Sequence, residues 1–156
     1  MGFKKYVAAA AVSAIAAGTM LAGPASATNI GNEGCTPGYW KNHTSNWEEY
    51  TVASKLANNF DLGSFATKYQ STTFLQALSL KGGTSLDGAF QILMRASTAA
   101  YLNAAHEGVG YPLRRFAEPG TMQARINAAL ASGDRQAMLS LATELDGYNN
   151  LGCPLN

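Results

Sequence analysis

His43 and His106 are the two histidines of the chain, and each closes a polar cluster: Tyr39-Trp40-Lys41-Asn42-His43 in one case, Asn103, His106 and Glu107 in the other. Two imidazoles and a carboxylate are a known catalytic zinc set with an open position. His43, His106 and Glu107 are therefore the candidate metal ligands, and the same residues could serve a His-based hydrolase. The spacing adds little, because no two of them stand at i and i+4 on one helix. His106 also falls in the last turn of an expected helix, where capping exposed carbonyls is a sufficient role.

The second chemistry is recognition. Tyr39, Trp40 and Trp47 offer flat aromatic faces, and Lys41, Asn42 and His43 offer polar handles, a combination that grips protein or sugar surfaces. Pro37-Gly38 would hold them on an ordered turn, so that less freedom is lost on binding. Against this, Trp40, His43 and Trp47 recur at i, i+3 and i+7, which equally describes a lid of core side chains. Glu48 and Glu49 are adjacent, so on a helix they diverge and make a poor acid and base pair. Arg114-Arg115 beside Tyr111 could meet an anion, but two charges on a loop are more often solvated surface. Asn42-His43-Thr44 is a glycosylation sequon that would stay bare in a bacterium. No Gly-x-Ser-x-Gly, P-loop or dinucleotide fingerprint occurs, and no cofactor is implied.

These residues need a compartment and a scaffold. Lys4 and Lys5, the uncharged Ala-rich run from Val7 to Leu21, and Ala25-Ser26-Ala27 make residues 1–27 a signal peptide, too short and too weakly apolar to anchor. Residues 28–156 are expected as one secreted domain without membrane insertion. With 11 Lys+Arg against 10 Asp+Glu in 156 residues, the chain lacks the basic excess that nucleic acid requires. Cys35 and Cys153 are its only cysteines. In an oxidising compartment an even count reads as a disulfide, here a staple joining the two ends.

The elements expected to carry the site are helices. Ser45 with Glu48 fits a capping box and predicts a helix over 46–58. Residues 60–71 show no steady period, and 73–80 reads as a short helix stopped by Gly82-Gly83. Thr84 with Asp87 starts the longest element, whose face runs through Leu86, Phe90, Leu93, Met94, Ser97, Tyr101 and Ala104 until Gly108. Pro119 is placed to open a helix containing Met122, Ile126, Ala129 and Leu130, closed by Gly133. Asp134 caps a last helix through Met138, Leu141, Ala142 and Leu145, ended by Gly147. No stretch alternates long enough for a strand. The fold class is thus all-α, a small single-domain bundle of four or five helices with its termini tied by a disulfide.

The segment Cys35-Thr36-Pro37-Gly38-Tyr39-Trp40-Lys41-Asn42-His43 is followed by Leu75-Gln76-Ala77-Leu78-Ser79 with Gly82-Gly83, and by Tyr101-Leu102-Asn103-Ala104-Ala105-His106 with Tyr111-Pro112. Leu145-Asp146 and Asn149-Asn150-Leu151-Gly152-Cys153-Pro154-Leu155 complete the series. Together they resemble a module of secreted bacterial proteins marked by its TPGYWKNH segment and closing GCPL, found alone or attached to larger cell-surface proteins. The likeness spans nearly the whole of residues 28–156. It implies export, a paired cysteine at each end, and no particular reaction. The expected role is therefore a small extracellular or cell-surface interaction module for a protein or carbohydrate partner. Tyr39, Trp40, Lys41, Asn42, His43 and Trp47 are its candidate binding residues.

Overall fold

A computed structural model describes residues 31–116 and 121–155; the leader and Pro119 lie outside the described residues. Its helices are α1 (Pro37–Asn42), α2 (Ala66–Tyr69), α3 (Phe74–Ala77), α4 (Leu86–Ala105), α5 (Met122–Ser132) and α6 (Arg135–Asn149), with three single 3-10 turns between α1 and α2. Among the described residues the only β-type pairings are the isolated bridges Gly34 to Gly152 and Lys55 to Thr73. The class is all-helical, as expected.

Helix α4 is the axis. Ser85 caps it by accepting a hydrogen bond from the Gly88 amide, one residue later than the expected start at Thr84. From there Phe90, Leu93, Met94, Tyr101 and Leu102 are buried, and the small residues Ala96, Ser97, Ala99 and Ala100 let neighbours approach closely. Helix α6 packs most extensively against it, with α5 lying on α6. The two are joined as expected: Gly133 closes α5 in the left-handed region at φ 61°, and Asp134 caps α6 through the Gln136 amide at 2.7 Å. Helix α6 runs past Gly147 to Asn149, and α4 stops at Ala105, short of Gly108. Tertiary hydrogen bonds set both ends and outweigh the glycines: Asn149 reaches the Ala96 carbonyl, and the Glu107 amide is drawn to Glu48.

One expected helix is absent. Residues 46–58 form a 3-10 turn ending at Asn46, an irregular loop, and a second turn over Leu56–Asn58. Trp47, Glu48 and Tyr50 are each drawn to a partner outside the segment. Trp47 donates to the Trp40 carbonyl, Tyr50 packs its ring on Phe74 and Tyr101, and the Glu48 carboxylate accepts from the Glu107 amide instead of capping Ser45. Glu49 adopts φ 61°, which no α-helix contains. Conversely α1 forms where Pro37-Gly38 predicts a tight turn, because Thr36 caps it through the Tyr39 amide and Pro37 occupies the first helical position. Within 73–80 only Phe74–Ala77 is α-helical, started by a complete Thr73–Gln76 capping box. Helix α2 arises in the segment that showed no period.

Cys35 and Cys153 are bonded across 118 residues, with Cα atoms 4.4 Å apart. Beside them the Gly34 amide donates to Gly152 at 3.0 Å. A Cβ on Gly34 would overlap the Tyr148 carbonyl, so this closure needs glycine.

Candidate functional site

The aromatic-polar segment is built outward from α4. Asn103, fully buried, accepts from the Cys35 amide at 2.7 Å and from the Trp40 indole at 3.0 Å through Oδ1. Its Nδ2 donates to the Cys35 carbonyl at 2.8 Å and to Asn149 Oδ1 at 3.0 Å. All four hydrogen-bonding positions of the amide are thereby filled. Asn149, itself fully buried, donates to the Ala96 carbonyl at 3.0 Å and accepts from the Tyr111 hydroxyl at 3.0 Å. One buried network thus binds α4, α6, the disulfide and α1, and it is why α6 continues to Asn149. Burial pushes the Tyr111 hydroxyl far above its ordinary value, so it stays a donor.

Trp40 consequently faces inward and is fully buried. It belongs to the lid of the core and leaves the set of residues that can touch a ligand. Trp47 is partly buried, with its indole spent on the Trp40 carbonyl at 2.9 Å. Tyr39 stacks on His43, ring centroids 4.2 Å apart and planes 11° from parallel. Its hydroxyl donates to the Leu155 carbonyl at 2.9 Å and accepts from Asn46 at 2.8 Å. Asn42 is exposed and folds back to the Gly38 carbonyl at 2.9 Å; Lys41 is exposed and forms no ion pair among the described residues. The polar groups that looked available are largely spent on the fold. The groups still facing outward are the Lys41 ammonium, the Asn42 amide and one edge of His43.

The two imidazoles are wired oppositely. His43 Nδ1 lies 2.9 Å from the Tyr39 carbonyl, which can only accept, so that nitrogen carries the proton and Nε2 keeps a lone pair. His106 Nδ1 receives the Gly108 amide at 2.9 Å, which consumes its lone pair and leaves the proton on Nε2, facing Glu48 at 3.5 Å. A neutral histidine arranged like His106 has no electron pair left for a metal or for accepting a proton. His106 also terminates α4, its own amide donating to Leu102, and its ring leans on Trp40 at 5.8 Å. Glu107 is exposed and engages Glu48 through its backbone amide. Among the described residues no group of three or more His, Cys, Asp or Glu is disposed to hold a metal ion, so His43, His106 and Glu107 do not form a ligand cluster.

Arg115 departs most from its expected place. It is 9% exposed, donates to both Glu49 oxygens at 2.8 Å and to the Tyr50 hydroxyl at 2.8 Å, and lies over the Tyr50 and Phe116 rings. Burial raises the Tyr50 and Tyr101 hydroxyls above their ordinary value. Arg114 is exposed, as expected. The buried network had a visible signal: an Asn inside a 20-residue helix with one acid and one arginine has to be satisfied internally or lie on the surface. The Arg115 clasp had none, since its partner Glu49 lies 66 residues away in sequence.

Comparison of the chain with protein-family models, with curated proteins and with solved structures finds no match.

Proposed function

We propose that the protein is a small exported interaction module whose α1 surface, formed by Lys41, Asn42 and the outer edge of His43, meets a protein or carbohydrate at a bacterial cell surface. The observation that carries this reading is the Tyr39–His43 stack. With its hydroxyl held from both sides and its ring against the imidazole, Tyr39 fixes a histidine whose Nε2 lone pair lies on the ring edge away from the hydrogen bond made by Nδ1. A binding group already immobilised by the fold loses little entropy on contact. Export is supported by the leader-like residues 1–27 and by a disulfide, which persists in oxidising compartments.

Labelled oxidised chain added to bacterial cell-wall fragments tests the reading. The triple variant Lys41→Ala, Asn42→Ala, His43→Ala should bind at least about tenfold more weakly, a loss near 1.4 kcal/mol, while melting as the parent does. Protease treatment of the fragments abolishes binding if the partner is protein, and periodate abolishes it if the partner is carbohydrate. Equal binding by parent and triple variant refutes the assignment of α1.

A further inference from the structure

On another part of the molecule, four observations converge on one small surface. Phe116 is 42% exposed and offers a large aromatic ring to solvent. Beside it Arg115 Nη2 donates to both Glu49 carboxylate oxygens at 2.8 Å while Nη1 holds the Tyr50 hydroxyl, with the Glu49 side chain 49% exposed. Glu49 holds that position at φ 61°, in the left-handed region that disfavours a residue of its size and that recurs where strain serves a site. Beneath, Tyr101 is fully buried, packs edge-on against Phe116 at 5.9 Å, and has a hydroxyl without a hydrogen-bond partner among the described residues. That hydroxyl lies within electrostatic reach of Arg115 and Tyr50. The Tyr101 ring packs on Tyr50 at 6.2 Å, and Tyr50 is held by Arg115, so the clasp adjoins the same aromatic cluster.

We infer that Phe116, the Arg115–Glu49 pair and Tyr50, with the Tyr101 hydroxyl behind them, form a binding site for a neutral saccharide. The charge arithmetic selects the class. Arg115 and Glu49 cancel, so an ionic ligand would have to break an ion pair already made, whereas hydroxyl groups can share its remaining lone pairs and N–H bonds without displacing it. Phe116 supplies the apolar face on which the C–H side of a pyranose ring lies, and the fixed ion pair supplies direction at its edge. This site does not depend on the α1 reading and uses none of its residues.

The test uses the oxidised full chain, with maltohexaose and chitohexaose as probes, followed through the Phe116 and Tyr50 ring resonances and the Arg115 guanidinium signal. One of the two sugars should shift these signals saturably, leave His43 unmoved, and bind Phe116→Ala at least about tenfold more weakly. Phe116→Tyr, which keeps the ring, should bind within about threefold of the parent. Shifts confined to α1, equal binding by Phe116→Ala, or no saturable shift with either sugar at millimolar concentration overturns the site. Concentration-dependent shifts of Phe116 without sugar identify self-association and overturn it too. Because the α1 triple variant keeps all five residues, a failure here leaves the cell-wall experiment undisturbed, and the reverse also holds.

Discussion

Replacing Asn103 by Ala isolates what the buried amide network contributes. The substitution removes four hydrogen bonds at once. Asn149 Oδ1 still accepts from Tyr111, so three buried groups lose their partner: the Cys35 amide, the Cys35 carbonyl and the Trp40 indole N–H. An orphaned buried polar group costs about 1–3 kcal/mol, and water entering the new space reduces the sum, so the expected loss is about 3–6 kcal/mol. That approaches the whole stability of an ordinary domain, about 5–15 kcal/mol. Asn103→Leu restores volume and leaves the same orphans. It should therefore fall in the same range, which separates lost hydrogen bonds from lost packing. Urea unfolding of the oxidised proteins, followed by tryptophan fluorescence, gives both values. If both variants lie within about 1 kcal/mol of the parent, the network is not what holds α1 to α4.

The disulfide should act on the same closure from the unfolded side. With its cysteines separated by 118 positions in sequence, loop entropy assigns it about 5 kcal/mol, so Cys35→Ser with Cys153→Ser should shift the urea midpoint strongly downward, and an unchanged midpoint refutes a stapling role. Arg115→Ala should destabilise more than Glu49→Gly in thermal melts, since glycine relieves about 1 kcal/mol of left-handed backbone cost while Arg115 also loses its ring contacts; the opposite order contradicts the clasp. The Arg125 guanidinium holds the Glu144 carboxyl below its usual range. A depressed folded value means that the contribution is present above the unfolded value near about 4.3 and is lost as pH falls through the folded one. The pair is over a third exposed, so Glu144→Gln should cost under about 1 kcal/mol at neutral pH and flatten the acid limb of stability; a parallel acid limb refutes it.

Legibility followed the range of the forces. Helices α4, α5 and α6 could be read because their caps and apolar faces lie within one element: Gly133 and Asp134 end and begin helices in the structure as their types require. The 46–58 segment misled because Trp47, Glu48, Glu49 and Tyr50 each answer to a residue outside it, and these tertiary contacts override a local capping signal. Within the candidate site, residue types indicated the right neighbourhood without the direction of each ring. Trp40 turns inward because Asn103 offers its indole an acceptor, and that acceptor lies 63 residues on. Nothing near Trp40 in sequence carries this information. The opposite tautomers of His43 and His106 are likewise set by backbone groups whose positions only the folded chain defines.

Hydrogen exchange of the Trp40 indole and the Cys35 amide tests most directly whether the polar and aromatic groups of residues 35–43 are spent on closing the fold. Both protons end on Asn103 Oδ1 in the core, so both should exchange only through global unfolding, at the rate of the slowest α4 amides and with the same denaturant dependence. Exchange of either proton through local opening, orders of magnitude faster than the α4 amides, would contradict the account.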